Sequence, residues 1–110
     1  MDYRFRISLV ENDQKIFGEG PLMLLKKVEE TGSLRQAALS MEMSYSKAWG
    51  MIKTIEKELG VSILNRSIGG EQGGGSSLTP EAKKLMERYE KLKNQVDKYI
   101  KEEMKAFEEG

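Results

Sequence analysis

Apolar positions change period repeatedly along this chain, and each change marks an element. Over residues 3–9, Tyr3, Phe5, Ile7 and Leu9 alternate with Arg4, Arg6 and Ser8, the period of two that predicts a half-buried strand. Glu11, Asn12, Asp13 and Gln14 read as a turn, and Lys15, Ile16, Phe17 and Gly18 as the return strand of a small hairpin. The period then lengthens. Leu22, Leu25 and Val28 share one stripe of a helix with Pro21 near its start and Thr31–Gly32 at its end. Ser33 is placed to cap a short second helix running from Leu34 to Ser40, in which the Ala37–Ala38 pair lets another helix approach closely. Glu42 and Met43 form a turn, and Ser44 caps a third helix that continues to Leu59 and stops at Gly60.

At about 100° per residue, the third helix carries Ala48, Ile52, Ile55 and Leu59 on one face and Ser46, Gly50, Lys53 and Lys57 on the opposite one. The second face is small at its start and basic toward its end, with Lys47 and Trp49 on opposite flanks. Lysines opposite an apolar stripe are also what any solvated helix face shows. Trp49 reads as a packing residue beside the core face, whereas Tyr45 and Ser46 lie in the first turn, where a base edge or a phosphate is within reach. Residues 63–67 and 76–78 read as two short strands around a glycine-rich tip, with Arg66 as its charged member. The tip lacks the Gly-Lys-Ser/Thr of a phosphate loop and leads into a strand, so a nucleotide site is the poorer reading.

Thr79, Pro80 and Glu81 then start a last helix: a capping hydroxyl, a proline at the first helical position and an acid at the positive dipole end. Leu85, Tyr89, Leu92, Val96, Tyr99, Ile100, Met104 and Phe107 follow three-four spacing along it. Such a helix outruns a small core, so Leu92, Val96, Tyr99, Ile100, Met104 and Phe107 are the candidate dimerisation residues, with a helix folded back on its own domain as the alternative. The parts predict a mostly α protein with small β-hairpins, a winged helix-turn-helix over residues 1–79 followed by a long C-terminal helix over residues 80–110.

Composition narrows the chemistry. The chain has 110 residues, room for one modest core. It contains neither cysteine nor histidine, which removes disulfides, thiolate sites and the commonest metal ligand and acid–base group, so neither a metal nor a cofactor is expected. A third of the residues are charged and the net charge is zero, no apolar run reaches membrane-spanning length, and the start lacks the pattern of a signal peptide. A soluble cytoplasmic protein with no membrane partner is expected. Adjacent acids such as Glu29–Glu30 and Glu102–Glu103 sit in charge runs, which makes an enzyme the weakest reading. Between residues 33 and 79 the basic residues exceed the acidic by one, so the placement of Arg35, Lys47, Lys53, Lys57 and Arg66 matters more than their number.

Three segments in order resemble a known family. Gly32-Ser33-Leu34-Arg35-Gln36-Ala37-Ala38, then Ser44-Tyr45-Ser46-Lys47-Ala48-Trp49, then the double-glycine loop from Gly69 to Gly75 followed by Leu78-Thr79-Pro80, are similar to the N-terminal DNA-binding domain of ModE-type molybdate-dependent regulators. That domain is related in fold to the LysR-type winged helices. The resemblance implies a dimeric transcriptional regulator that docks two recognition helices on a palindromic operator in double-stranded DNA. By position, Ser33 and Arg35 would touch phosphates, Ser44, Tyr45, Ser46 and Lys47 the major groove, and Arg66, Gly70 and Gly73 the backbone; the exposed face of the third helix itself adds Gly50, Lys53 and Lys57 as candidate contacts, the two lysines on phosphates. In that family molybdate binds further domains after the winged helix, and a separate effector or sensor protein is the partner that could supply sensing to this chain. A winged helix serving as a protein-interaction or scaffold module is the alternative from another class.

Overall fold

The computed structural model describes residues 1–66 and 75–110, residue 66 by its backbone alone. Strands β1 (Leu9–Glu11) and β2 (Gln14–Phe17) form an antiparallel hairpin, followed by helices α1 (Glu19–Thr31), α2 (Leu34–Ser40) and α3 (Tyr45–Leu59). Strands β3 (Leu64–Arg66) and β4 (Ser76–Leu78) pair antiparallel in the register Leu64 to Leu78, and α4 (Pro80–Glu109) completes the chain.

Local chemistry sets the helix boundaries. Ser33, Ser44 and Thr79 each turn a side-chain oxygen toward the first turn of the following helix, accepting from the N–H groups of Gln36, Lys47 and Ala82. Gly32 and Gly60 end α1 and α3 with φ of 73° and 66°, left-handed values that a side chain disfavours. In the first hairpin Asn12 and Asp13 both take positive φ, so a two-residue turn joins Glu11 directly to Gln14.

The core lies where the three short helices meet β2 and the start of α4. Phe17, Leu22, Leu24, Leu25, Val28, Ile52, Ile55, Ile63 and Tyr89 are all fully buried, and Ala37, Ala38 and Ala48 let α2 and α3 come close. Burying each of the large side chains stabilises by about 1.5–3 kcal/mol before the cost of ordering it. Ala82, Met86 and Tyr89 place the first turns of α4 in this same core. Ion pairs of Lys93 with Glu19, at 2.6 Å, and of Lys26 with Glu90, at 3.1 Å, add links between α1 and α4.

The expected strand over residues 3–9 is corrected: only Leu9 of that run is in a ladder. The alternation itself is kept, with Tyr3, Phe5 and Ile7 half-buried and Arg4, Arg6 and Ser8 exposed. Because the turn is tight and α1 begins at Glu19, the return strand is only Gln14–Phe17 and leaves residues 3–8 with no backbone to pair with. A helix serves instead. The Tyr89 hydroxyl donates to the Ile7 carbonyl at 2.7 Å, Tyr3 donates to the Asp97 carboxylate, and the Met1 ammonium lies 3.4 Å from Glu108. The segment therefore runs antiparallel to α4. The bond from Tyr3 holds Asp97 below the usual carboxylate range, and the same bond pushes the Tyr3 phenol up to about 12.

Candidate nucleic-acid interface

Backbone hydrogen bonds close the turn between α2 and α3. Glu42 takes a left-handed φ of 55°, and the N–H groups of Met41 and Met43 both donate to the Ala38 carbonyl, so the last turn of α2 folds straight into the start of α3. Ala48, Ile52 and Ile55 then face the core, which leaves Ser46, Gly50, Lys53 and Lys57 exposed on the outer face. Leu59 departs from the expected core face and is 42% exposed. It is the last helical residue before the left-handed Gly60, where the chain swings away, and Val61 packs against the core beyond it.

One flank of the outer face is built from pairs of cation and ring. The Arg35 guanidinium, from the first turn of α2, sits 4.5 Å from the centre of the Tyr45 ring. One turn along α3, the Lys53 ammonium lies 4.9 Å from the Trp49 ring. Both rings are half-buried and pack against the core, whereas Arg35 and Lys53 are exposed. Lys47 is exposed on the other flank. Ser33 and Ser44 use their hydroxyl oxygens as caps, at 3.1 and 3.0 Å from their amides, and each keeps an O–H to donate outward.

The base of the second hairpin is tied to the same unit. The Ile63 N–H donates to the Glu56 carboxylate at 2.9 Å, the Ser76 N–H to the Gly32 carbonyl at 2.8 Å, and the Thr79 hydroxyl to the Ser62 carbonyl at 2.6 Å. β3 and β4 are therefore set against the end of α3 and the α1–α2 junction. Glu56 is a positioning residue that charge counting missed. Its carboxylate holds the base of the strand, and nothing in the spacing of acids along α3 marks it. Gly70, Gly73 and the Arg66 side chain lie outside the described residues. Among the described residues no group of His, Cys, Asp and Glu is arranged to hold a metal, and no helix is long and apolar enough to cross a membrane.

Residues 21–83 match the family described as bacterial regulatory helix-turn-helix protein, lysR family. The chain belongs to that family. The matched stretch of this lysR-family chain runs from the first turn of α1 through both strands of the second hairpin into the first turn of α4, and so contains the whole α2–α3 unit. Among named proteins the chain is similar to the transcriptional regulator ModE of Haemophilus influenzae, 38% identical over 69 residues that cover 63% of this chain and 27% of that one. It is also similar to the molybdenum transport protein ModE of Azotobacter vinelandii, 31% identical over 87 residues, 79% of this chain and 32% of that one. The chain thus spans about a third or less of the length of these relatives. Of solved structures, the DNA-binding domain of CbnR in complex with DNA superposes with a TM-score of 0.59 at 22% identity, covering 79% of this chain and 94% of that one. The winged helix-turn-helix expected from the residue pattern, and the kinship with ModE and LysR proteins, are both met.

Proposed function

We propose that this chain is a DNA-binding transcriptional regulator that lays α3 in the major groove of duplex DNA and acts as a homodimer on a two-fold operator. The observation that carries the reading is the outer face of α3. It is free of bulk at Ser46 and Gly50 and basic at Lys53 and Lys57, with Arg35 held beside it, and it belongs to a helix-turn-helix of a regulatory family. The DNA-bound state of the CbnR domain supports the same use of the fold. The chemistry required is recognition alone: phosphates met by cations and backbone amides, base edges met by the short side chains of the first turns.

Binding to duplex DNA that weakens steeply with salt tests this reading. Each phosphate neutralised contributes about −0.9 to the slope of log K against log salt, so Lys53→Ala and Lys57→Ala should each flatten the slope by about that amount. Both should weaken all duplexes alike, while Ser46→Ala changes the motif recovered from a random duplex pool. A slope near zero would instead favour a protein-interaction module.

The support for a dimer lies in the outer half of α4. Leu92, Tyr99 and Phe107 are 41%, 64% and 68% exposed. Val96, Ile100 and Met104 are half-buried. At about 100° per residue, Leu92 and Tyr99 form one edge of the apolar arc, while Ile100 and Met104 form the other, on the side of Asp97 where Tyr3 is anchored. The second copy is accordingly expected on the Leu92–Tyr99 edge. Leu92→Glu with Tyr99→Glu should give a monomer by sedimentation with unchanged helicity, since neither side chain enters the core. A dimer that persists would move the interface elsewhere.

A further inference from the structure

The reading of α3 as the DNA-contacting helix leaves open what its aromatic residues do. We propose that Tyr45 and Trp49 are positioning residues, whose rings hold Arg35 and Lys53 along one flank of α3 so that the two cations meet the phosphates of one strand. This rests on the DNA-binding reading above and gives two residues a role other than base reading.

The geometry points this way from both sides of each pair. Tyr45 and Trp49 are four residues apart, so their rings follow one another along the same side of α3. Both are half-buried and braced against the core, which fixes ring orientation through packing. A cation then lies over each ring, at 4.5 Å for Arg35 and 4.9 Å for Lys53, within the range where the negative ring face attracts it. The two cations come from different places, Arg35 from α2 and Lys53 from α3 itself. What they share is the ring platform.

Two consequences follow from chemistry. A ring face covered by a guanidinium cannot also stack on a base, which argues against base reading by the face of Tyr45. Arg and Lys side chains otherwise lose rotamer freedom when they bind, and a cation already held near its binding position loses less. The rings therefore raise affinity without adding sequence preference. They do so in a chain of zero net charge, where each correctly placed cation counts for more.

A double-mutant cycle tests this with one probe, a duplex recovered from a random pool by the wild-type protein. Arg35→Ala and Tyr45→Leu should each weaken binding by about three- to tenfold. The double variant should be little weaker than Arg35→Ala alone, because the Tyr45 ring contributes to DNA affinity through Arg35. Tyr45→Phe keeps the ring and should restore wild-type affinity, and Tyr45→Leu should recover the same sequence motif as the wild type. Independent losses that multiply, or a changed motif for Tyr45→Leu or Tyr45→Phe, would overturn the proposal and make Tyr45 a base-reading residue. The DNA-free protein offers a second readout, which stands even if Tyr45→Leu folds poorly. The side-chain protons of Arg35 should show an upfield ring-current shift that Tyr45→Phe preserves, and its absence in the wild type would overturn the pairing. Wild-type protein that binds no duplex while showing that shift would instead overturn the DNA reading on which the proposal rests.

Discussion

Gly50→Ala is expected to stabilise the protein and weaken its binding to duplex DNA. Gly50 lies in the middle of α3, where glycine costs about 0.5–1 kcal/mol relative to alanine through its greater freedom in the unfolded chain. A glycine is required by the fold where φ is left-handed or a neighbour comes close, and Gly50 meets neither condition: its φ is not positive, and a Cβ there would meet nothing within 4 Å. Nothing within the described chain explains the residue. On the proposed docking DNA lies against the helix at that point, and a methyl group would stand between the helix and the groove. Melting should rise by a few degrees, about 4–8 °C per kcal/mol for a domain near this size. Affinity for a selected duplex should fall by about tenfold or more, a loss of roughly 1.4 kcal/mol or more. Higher melting with undiminished affinity would mean that DNA does not lie against this part of α3.

Phe17→Ala should cost the most stability of any single change considered. The side chain is fully buried, and its ring meets that of Tyr89 edge-on at 5.2 Å with an interplanar angle of 80°. It joins three parts of the molecule at once, being the last residue of β2, next to the Gly18 that caps α1, and in contact with α4 through Tyr89. Deleting a buried phenyl ring costs about 3–5 kcal/mol, against a total of about 5–15 kcal/mol for a domain, so melting should fall by tens of degrees. Leu39→Ala is the matched control. Leu39 is 69% exposed on α2, and a change within about 0.5 kcal/mol is expected there. A loss below about 1 kcal/mol for Phe17→Ala would show that the first hairpin does not depend on α4 for its place.

The elements that could be read from residue order alone are those specified by neighbours in sequence. The three helix starts at Ser33, Ser44 and Thr79 and the stops at Gly32 and Gly60 follow from single side chains acting within one turn of their own backbone. Apart from Leu59 at its end, the faces of α3 were legible for the same reason, since a helical period needs no partner to be seen. Errors appeared where a distant segment decided. The alternation over residues 3–8 correctly marked one buried side, but it could not say that the side would rest on α4 instead of pairing in a sheet. The apolar arc of α4 was equally plain in the sequence, and only the N-terminal segment divided it into a half-buried edge at Ile100 and an exposed one at Leu92.

The candidate interface divides along the same line. Residue type and spacing determined that Ser46, Gly50, Lys53 and Lys57 share an exposed face, and the neighbouring turn and hairpin were needed to single out α3 as the candidate recognition helix. Tertiary structure alone decided that Arg35 from α2 would lie over the ring of Tyr45, and that Glu56 would take the Ile63 amide and so set the base of the second hairpin. Period and capping arise from bonds among residues a few positions apart, so the sequence carries them openly. Which cation covers which ring, and which carboxylate meets which amide, depends on how separately specified elements pack, and that follows from the shape of the shared core.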